Sequence, residues 1–204
     1  MLPAFQAVQY KNSGIVSPLV TIGTQIWMTK NLDVTTYRDG TPIPQVTDPT
    51  AWANLTTGAW CYYNNGPVNG PIYGKLYNWY GVNDPRGLAP LGYHVPTDSE
   101  HSTLTTFLGG GNLAGGKMKE IGNSHWKNPN SANNESGFTA LPGGYRYYSI
   151  DVSFSSILGY GLWWTTTESS STHAWYSYLY YLDENSYRSA SNKKIGLSVR
   201  CIKD

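Results

Sequence analysis

Helical periodicity is confined to the first 121 residues, and the rest of the chain reads as turns and short strands. Tyr73, Leu76, Tyr77 and Tyr80 fall at i, i+3, i+4 and i+7, which predicts one face of a helix ending before Asp84-Pro85. Pro96-Thr97-Asp98-Ser99-Glu100 predicts a second helix through a capping box, with Thr97 at the N-cap and Glu100 at N3. Leu104, Phe107 and Leu108 form its expected apolar stripe, and Gly109-Gly110 its stop. A weaker third helix is expected over 113–121. Residues 20–28 alternate around a Gly23-Thr24 hairpin turn, and 35–38 lead into an Asp39-Gly40 turn. Pro42, Pro44 and Pro49 argue against a central strand or helix there. Further strands are expected over 143–148, 162–167, 173–182 and 196–202. Helices early, strands late and no βαβ alternation predict an α+β fold with an antiparallel sheet and about two main helices.

The chain has 204 residues, enough for one domain with a short appendage. We read residues 1–19 as a lead-in or attachment segment and 20–204 as the domain. Charged residues make up 13% against a usual figure of about 25%. With a net charge of +1 there is no excess of Lys and Arg to track phosphates, so no nucleic-acid partner is expected. No apolar run is long enough for a membrane span. Met1 to Tyr10 lacks the charged start and apolar middle of a signal peptide, so either the N-terminus was trimmed or export follows another route. Eight Trp and seventeen Tyr, with 22 Gly and 12 Pro, describe an ordered, loop-rich globule rather than a disordered chain. Cys61 and Cys201 lie far apart and outside any metal-ligand spacing, so two buried thiols and one long-range disulfide stand as equal alternatives.

The sharpest local pattern runs from Trp175 to Leu182. Side chains alternate faces on a strand, so Trp175, Ser177, Leu179 and Tyr181 share one face, and Tyr176, Tyr178, Tyr180 and Leu182 the other. With Trp175 and Leu179 turned to the core, the second set forms an outward aromatic ladder. The following stretch, 183–192, holds one Tyr and one Arg among Ser and Asn, the composition of an evolved binding surface. The competing reading is structural: Tyr has high strand propensity, and the Ser/Asn run could be a solvated turn.

Other chemistries find little support. His94, His101, His125 and His173 are scattered, and the sequence names no catalytic partner for any of them; His94 reads as structural. Gly115-Gly116-Lys117-Met118 lacks phosphate-loop spacing. Asp183 and Glu184 are adjacent and would face opposite ways on a strand, so they cannot flank a glycosidic bond. With Asn185 they could offer oxygens to calcium, but no recognised loop pattern supports it. No catalytic residue, metal or cofactor is expected.

Seven stretches together resemble a known family, the Fibrobacter succinogenes major paralogous domain. They begin with Val20-Thr21-Ile22-Gly23-Thr24-Gln25-Ile26-Trp27-Met28 and Lys30-Asn31-Leu32, then Tyr37-Arg38-Asp39-Gly40-Thr41-Pro42-Ile43-Pro44. Ala59-Trp60-Cys61-Tyr62-Tyr63-Asn64-Asn65, Tyr73-Gly74-Lys75-Leu76-Tyr77-Asn78-Trp79-Tyr80 and Gly92-Tyr93-His94-Val95-Pro96-Thr97-Asp98 follow. Leu162-Trp163-Trp164-Thr165-Thr166-Thr167-Glu168 and Gly196-Leu197-Ser198-Val199-Arg200-Cys201 complete the set. The resemblance implies a mostly surface-located protein of Bacteroidetes or Fibrobacter type. It also implies a C-type-lectin-like fold shared with formylglycine-generating enzymes and with variable proteins of diversity-generating retroelements.

The oxidase branch of that fold needs reactive copper-binding cysteines, for which Cys61 and Cys201 are poor candidates. The retroelement branch implies a fixed scaffold of Trp175, Leu179, Tyr181, Arg188, Lys193, Lys194 and Gly196. Its diversified, ligand-binding set would be Tyr176, Tyr178, Tyr180, Leu182, Asp183, Asn185, Tyr187, Ser189, Ala190 and Ser191, with Ile195 as a marginal member. The expected function is adhesion to a cell-surface protein or glycan, outside the cell, on a phage receptor-binding tip or a bacterial surface. The alternatives are a structural surface module and, further off, an enzyme of the formylglycine-generating type.

Overall fold

The computed structural model describes residues 17–151 and 153–204, so residues 1–16 of the expected lead-in lie outside the described residues. The fold is α+β, with five α-helices among the described residues, four of them very short, and small antiparallel sheets. The hairpin expected at the start is present as β1 (Leu19–Ile22) and β2 (Gln25–Met28), in register from Leu19 opposite Met28 to Ile22 opposite Gln25. The expected strand at 35–38 is reduced to a single bridge between Thr36 and Pro42. Pro49, expected to oppose a helix, opens one: α1 (Pro49–Ala53) places it in the first turn, where a missing N–H costs nothing, and Asp48 caps the end.

The helix expected across Tyr73 to Tyr80 is not continuous. It divides into α2 (Gly70–Tyr73), β4 (Leu76–Tyr77) and α3 (Trp79–Val82), with β4 paired to β3 (Trp60–Cys61). Gly74 sits at φ +74 against the Leu32 backbone and ends α2. Asn78 caps α3 by accepting from the Gly81 N–H. Tyr73, Leu76 and Tyr77 are buried all the same, which is what the apolar spacing registered.

The second helix starts as expected. In α4 (Asp98–Phe107) Thr97 Oγ1 accepts from the Glu100 N–H at 3.2 Å and Glu100 Oε2 from the Thr97 N–H at 2.7 Å. Its inward residues are His101, Leu104 and the cap residue Leu108, whereas Phe107 is 63% exposed and lies over the Gly23 turn. Only α4 has the length of an ordinary helix among those described; the third expected helix is limited to α5 (Ala114–Met118).

The later strands are β6 (Tyr145–Arg146), β7 (Phe154–Ser155), β8 (Tyr160–Glu168), β9 (His173–Tyr180), β10 (Ser186–Asn192) and β11 (Ile202–Lys203). β9 stops two residues short of the expectation, and the run read as a possible turn after it is largely β10. The stretch 196–202, expected as one strand, is a buried segment that stitches the molecule together. Gly196 bridges Arg146, Leu197 bridges Tyr77, Ser198 bridges Trp163, and Ile202 pairs with both Trp27 and His94 of β5 (Tyr93–His94). The sheets run β1-β2-β11-β5 and β10-β9-β8.

A chain with so much irregular backbone must satisfy many carbonyls away from water. Buried cations meet that need. The Arg146 guanidinium donates to the carbonyls of Val46 (2.5 Å), Thr47 (3.0 Å) and Asp48 (3.2 Å), and lies over the Trp52 ring. Arg200 donates to the Phe138 carbonyl and, at 2.8 Å, to Asn31 Oδ1. Cys61 and Cys201 are both free and buried. Of the two alternatives, the structure has the thiols. No helix among the described residues is long and apolar enough to cross a membrane.

Candidate ligand-binding site

The sheet β10-β9-β8 has two faces with different jobs. One packs on α4: Trp163 and Leu179 join Trp27, Leu104, Trp126 and Phe138 in one apolar cluster. On the same face Ser177 Oγ lies 2.8 Å from His101 Nε2, and Arg188 spans from the Trp175 ring to Asp98 Oδ1. Burial holds the His101 imidazole down at about 4, so it is neutral at ordinary pH.

The other face carries the tyrosines. Residues directly opposite on paired strands share a face, so the register lines up Tyr160 with Tyr180, Leu162 with Tyr178, and Trp164 with Tyr176. On the other side Tyr187 pairs with Tyr178, Ser189 with Tyr176 and Ser191 with Ala174. Tyr178 and Tyr187 stack at 4.8 Å and 12°, Tyr160 and Tyr180 at 4.5 Å and 28°. Trp164 is fully buried beneath, edge-on to Tyr176 at 6.0 Å, with its indole N–H bonded to the Tyr77 carbonyl. The rings therefore stand on a rigid floor rather than on loops.

From the side, the β6–β7 hairpin adds Tyr145 and Tyr147, which closes an open pocket of about 310 Å³. Five tyrosines wall it: Tyr145, Tyr147, Tyr160, Tyr176 and Tyr178. Ser156 and Ser191 add hydroxyls, and Leu162 and Ile195 give an apolar base. None of the nine lining residues carries a charge. Burial raises the Tyr176 and Tyr178 phenols above their ordinary value, so the wall stays neutral. Tyr147 stacks outward on Tyr148, and with Ile150 both are more than a third exposed, extending an aromatic rim beyond the pocket.

The ten residues named from the sequence divide into four groups. Tyr176, Tyr178, Tyr187, Ser189 and Ser191 share the tyrosine face. Tyr180 sits at its edge, against Tyr160 and Tyr181. Asp183 and Asn185 belong to the β9–β10 turn, where Tyr187 Oη donates to Asp183 Oδ2 and accepts from Asn185 Nδ2, both at 2.8 Å; Leu182 projects from that turn, half exposed. Ala190 pairs with Trp175 and so takes the opposite, α4-packed face.

That turn is itself held from below. Lys119 Nζ donates to the carbonyls of Tyr180 (2.9 Å) and Asp183 (2.6 Å), and the Gly116 N–H donates to the Glu184 carbonyl. A Cβ at Gly115 would lie 2.1 Å from the Asn185 carbonyl oxygen, so only glycine admits this approach. The Gly115-Gly116 pair, which lacks phosphate-loop spacing, is a seat for the turn.

Tyr145, Tyr147, Ser156, Tyr160 and Leu162 line the pocket from outside the set expected from the sequence. The i, i+2 spacing of Tyr145 and Tyr147 puts them on one face of a strand, which was the only signal available. Two other depressions are lined in part by polar side chains that pair with one another, although His101 Nδ1 in the second has no partner among the described residues. In one, about 300 Å³ between β2 and α2, Asn31 is bonded to Trp163 and Arg200, and Asp33 pairs with Lys75. In the other, beside α4, Asp98 pairs with Arg188, His101 with Ser177 and Thr105 with Ser186. Among the described residues no group of three His, Cys, Asp or Glu side chains could hold a metal.

The family model of the Fibrobacter succinogenes major domain matches residues 20–203. The chain belongs to this family. The domain thus spans nearly all of the described residues, with Tyr145, Tyr147, Tyr160 and the whole β9–β10 hairpin inside it. No curated relative and no solved structure gives a significant match.

Proposed function

We propose that this Fibrobacter succinogenes major domain is a binding module that recognises a ligand on a cell surface through the tyrosine face of β8, β9 and β10. The observation that carries the reading is the pocket walled by five tyrosines, neutral throughout and based on Leu162 and Ile195. Tyr offers large contact area, few rotors and a polar tip, which suits recognition. A purely structural sheet would cover these rings fully; here Tyr160, Tyr176 and Tyr178 are half-buried and line an open pocket, and the Tyr147–Tyr148 rim reaches solvent. Cys61 and Cys201 have thiols pushed up to about 11 and about 12 by burial, which speaks against cysteine chemistry of the formylglycine-generating type.

A C-type-lectin-like architecture fits α4 as the principal helix and the closing segment 196–203 that ties β2 to β5. The division of the β9–β10 hairpin into a locked face and an open face suits a fixed scaffold with a diversified surface. On that reading Tyr176, Tyr178, Tyr187, Ser189 and Ser191 are variable, and the domain sits outside the cell on a phage tip or bacterial surface. A reverse transcriptase and template repeat near the source gene is the genomic observation that tests diversification.

The binding test is a screen of the domain against glycan and cell-surface-protein arrays, beside a Tyr147→Ala/Tyr178→Ala variant shown to be folded. A hit lost in the variant supports the reading. A hit retained moves the site elsewhere, and no hit with either protein favours a structural module.

A further inference from the structure

We infer that the tyrosine-walled pocket takes a single neutral pyranose unit of a glycan, held by ring stacking and hydroxyl hydrogen bonds without a metal ion. The inference rests on the binding role proposed above and deepens it. Three features of the pocket carry it.

The first is charge. No carboxylate, ammonium, guanidinium or imidazole lines the pocket, so a sialic acid, uronic acid, sulfated sugar or phosphate would lose its hydration without gaining a counter-charge. The second is the ratio of hydroxyls to apolar side chains. Seven of the nine lining residues carry a hydroxyl, and five of those are borne on aromatic rings. A pyranose has an apolar face of axial C–H groups and an equator of hydroxyls, so it matches rings and hydroxyls together. A Leu or Phe side chain of a protein ligand would fill the space but strip water from the Tyr and Ser hydroxyls without replacing their hydrogen bonds. The third is size: at about 310 Å³ the pocket lies at the small end of ligand sites, which run from about 300 to 1,000 Å³. One ring fits, and the Tyr147–Tyr148 stack outside gives a second unit a platform.

Metal independence follows from the same residues. Sugar binding through calcium needs several carboxylate or amide oxygens converging on one point. Asp183, in the turn beside this face, has its Oδ1 accepting from the Asn185 N–H and its Oδ2 from Tyr187 Oη.

The test is saturation-transfer NMR on the intact domain in EDTA, with methyl glycosides of neutral hexoses and N-acetylhexosamines as one panel. Methyl glycosides of glucuronic and sialic acid form a second, and the cell-surface-protein array a third. The inference predicts transfer to the ring C–H protons of at least one neutral glycoside, with affinity reduced by about tenfold or more in Tyr178→Ala and in Tyr147→Ala. Tyr147 is exposed enough that its variant folds whatever becomes of Tyr178→Ala. Binding only to acidic glycosides, or only with calcium restored, overturns it. Binding only to a protein, lost in the same variants, overturns the sugar assignment and leaves the binding face standing. Silence in all three panels removes both.

Discussion

Tyr178 and Tyr187 face each other across β9 and β10 with their rings stacked at 4.8 Å, while the Tyr187 hydroxyl is tied to Asp183 and Asn185 in the turn that joins the two strands. The stack couples the open face to its own support. A ring at the mouth of the site is fixed by a turn, and that turn is fixed by Lys119 and by the backbone at Gly115 and Gly116. Side chains held in this way lose little further freedom when a ligand arrives, the condition under which stacking converts into affinity.

Lys119→Met should therefore act on the whole hairpin. It leaves the Tyr180 and Asp183 carbonyls without their buried donor, and hydrogen bonds to a charged group are worth about 1.5–3 kcal/mol each. A loss of a few kcal/mol is expected by urea unfolding, with faster amide exchange across the β9–β10 turn. Unchanged exchange there would show that the turn does not depend on Lys119.

His101 gives the fold a sensitivity to acid. Its folded value of about 4 lies below the 6.5 of an unfolded histidine, so the unfolded chain binds the extra proton first. The linked stability is intact above about pH 6.5 and falls by about 3 kcal/mol as pH drops to about 4. Unfolding free energies across that window should be steeper for the native sequence than for His101→Gln. Equal slopes would mean that His101 is protonated in the fold.

His94 works in the other direction. Burial opposes its charge, but hydrogen bonds to Asp204 at 2.7 Å and Glu100 at 2.9 Å prevail and raise its pKa. The stabilisation is fully present below about pH 6.5 and is lost as pH climbs through the raised folded value. The stability gap between the native sequence and His94→Gln should shrink as pH rises above about 6.5. A gap that widens over that range would contradict the pairing. Glu100 is also half of the α4 capping box, so Thr97→Ala is expected to cost about 1 kcal/mol at any of these pH values.

Both thiols should be silent in the native state. Cys61 and Cys201 are fully buried, and burial pushes them up to about 11 and about 12. A colourimetric thiol reagent at pH 8 should report no fast-reacting group until denaturant is added, and then two. A fast-reacting native thiol would reopen the enzymatic alternative.

The parts of this fold legible in the sequence are those written locally. The Gly23-Thr24 hairpin and the Thr97–Glu100 capping box each depend on residues a few positions apart. So does the alternation that separates Trp175, Ser177 and Leu179 from the three tyrosines. The parts that escaped depend on who sits opposite whom. Ser, Ala and Asn give residues 186–192 little strand propensity of their own, and seven paired positions against β9 make them a strand. Tyr73 to Tyr80 mimics a helical face because three buried residues fall at the right spacing by way of two short helices and a strand. Three of the five wall tyrosines come from elsewhere in the chain: cross-strand register brings in Tyr160, and packing of the separate β6–β7 hairpin brings in Tyr145 and Tyr147. Ala190 belongs to the diversified set that the retroelement resemblance implies, whereas register turns it toward α4.

Ligand contact on the tyrosine face can be read by NMR of the domain with its tyrosine rings isotopically labelled. A ligand from either array is titrated in, and ring resonances are assigned by single Tyr→Phe substitutions. Tyr145, Tyr147, Tyr160, Tyr176 and Tyr178 should shift together with one dissociation constant, while Tyr37 and Tyr77, buried elsewhere, stay put. Shifts confined to Tyr73, beside the depression between β2 and α2, with the five wall tyrosines unmoved, would contradict it.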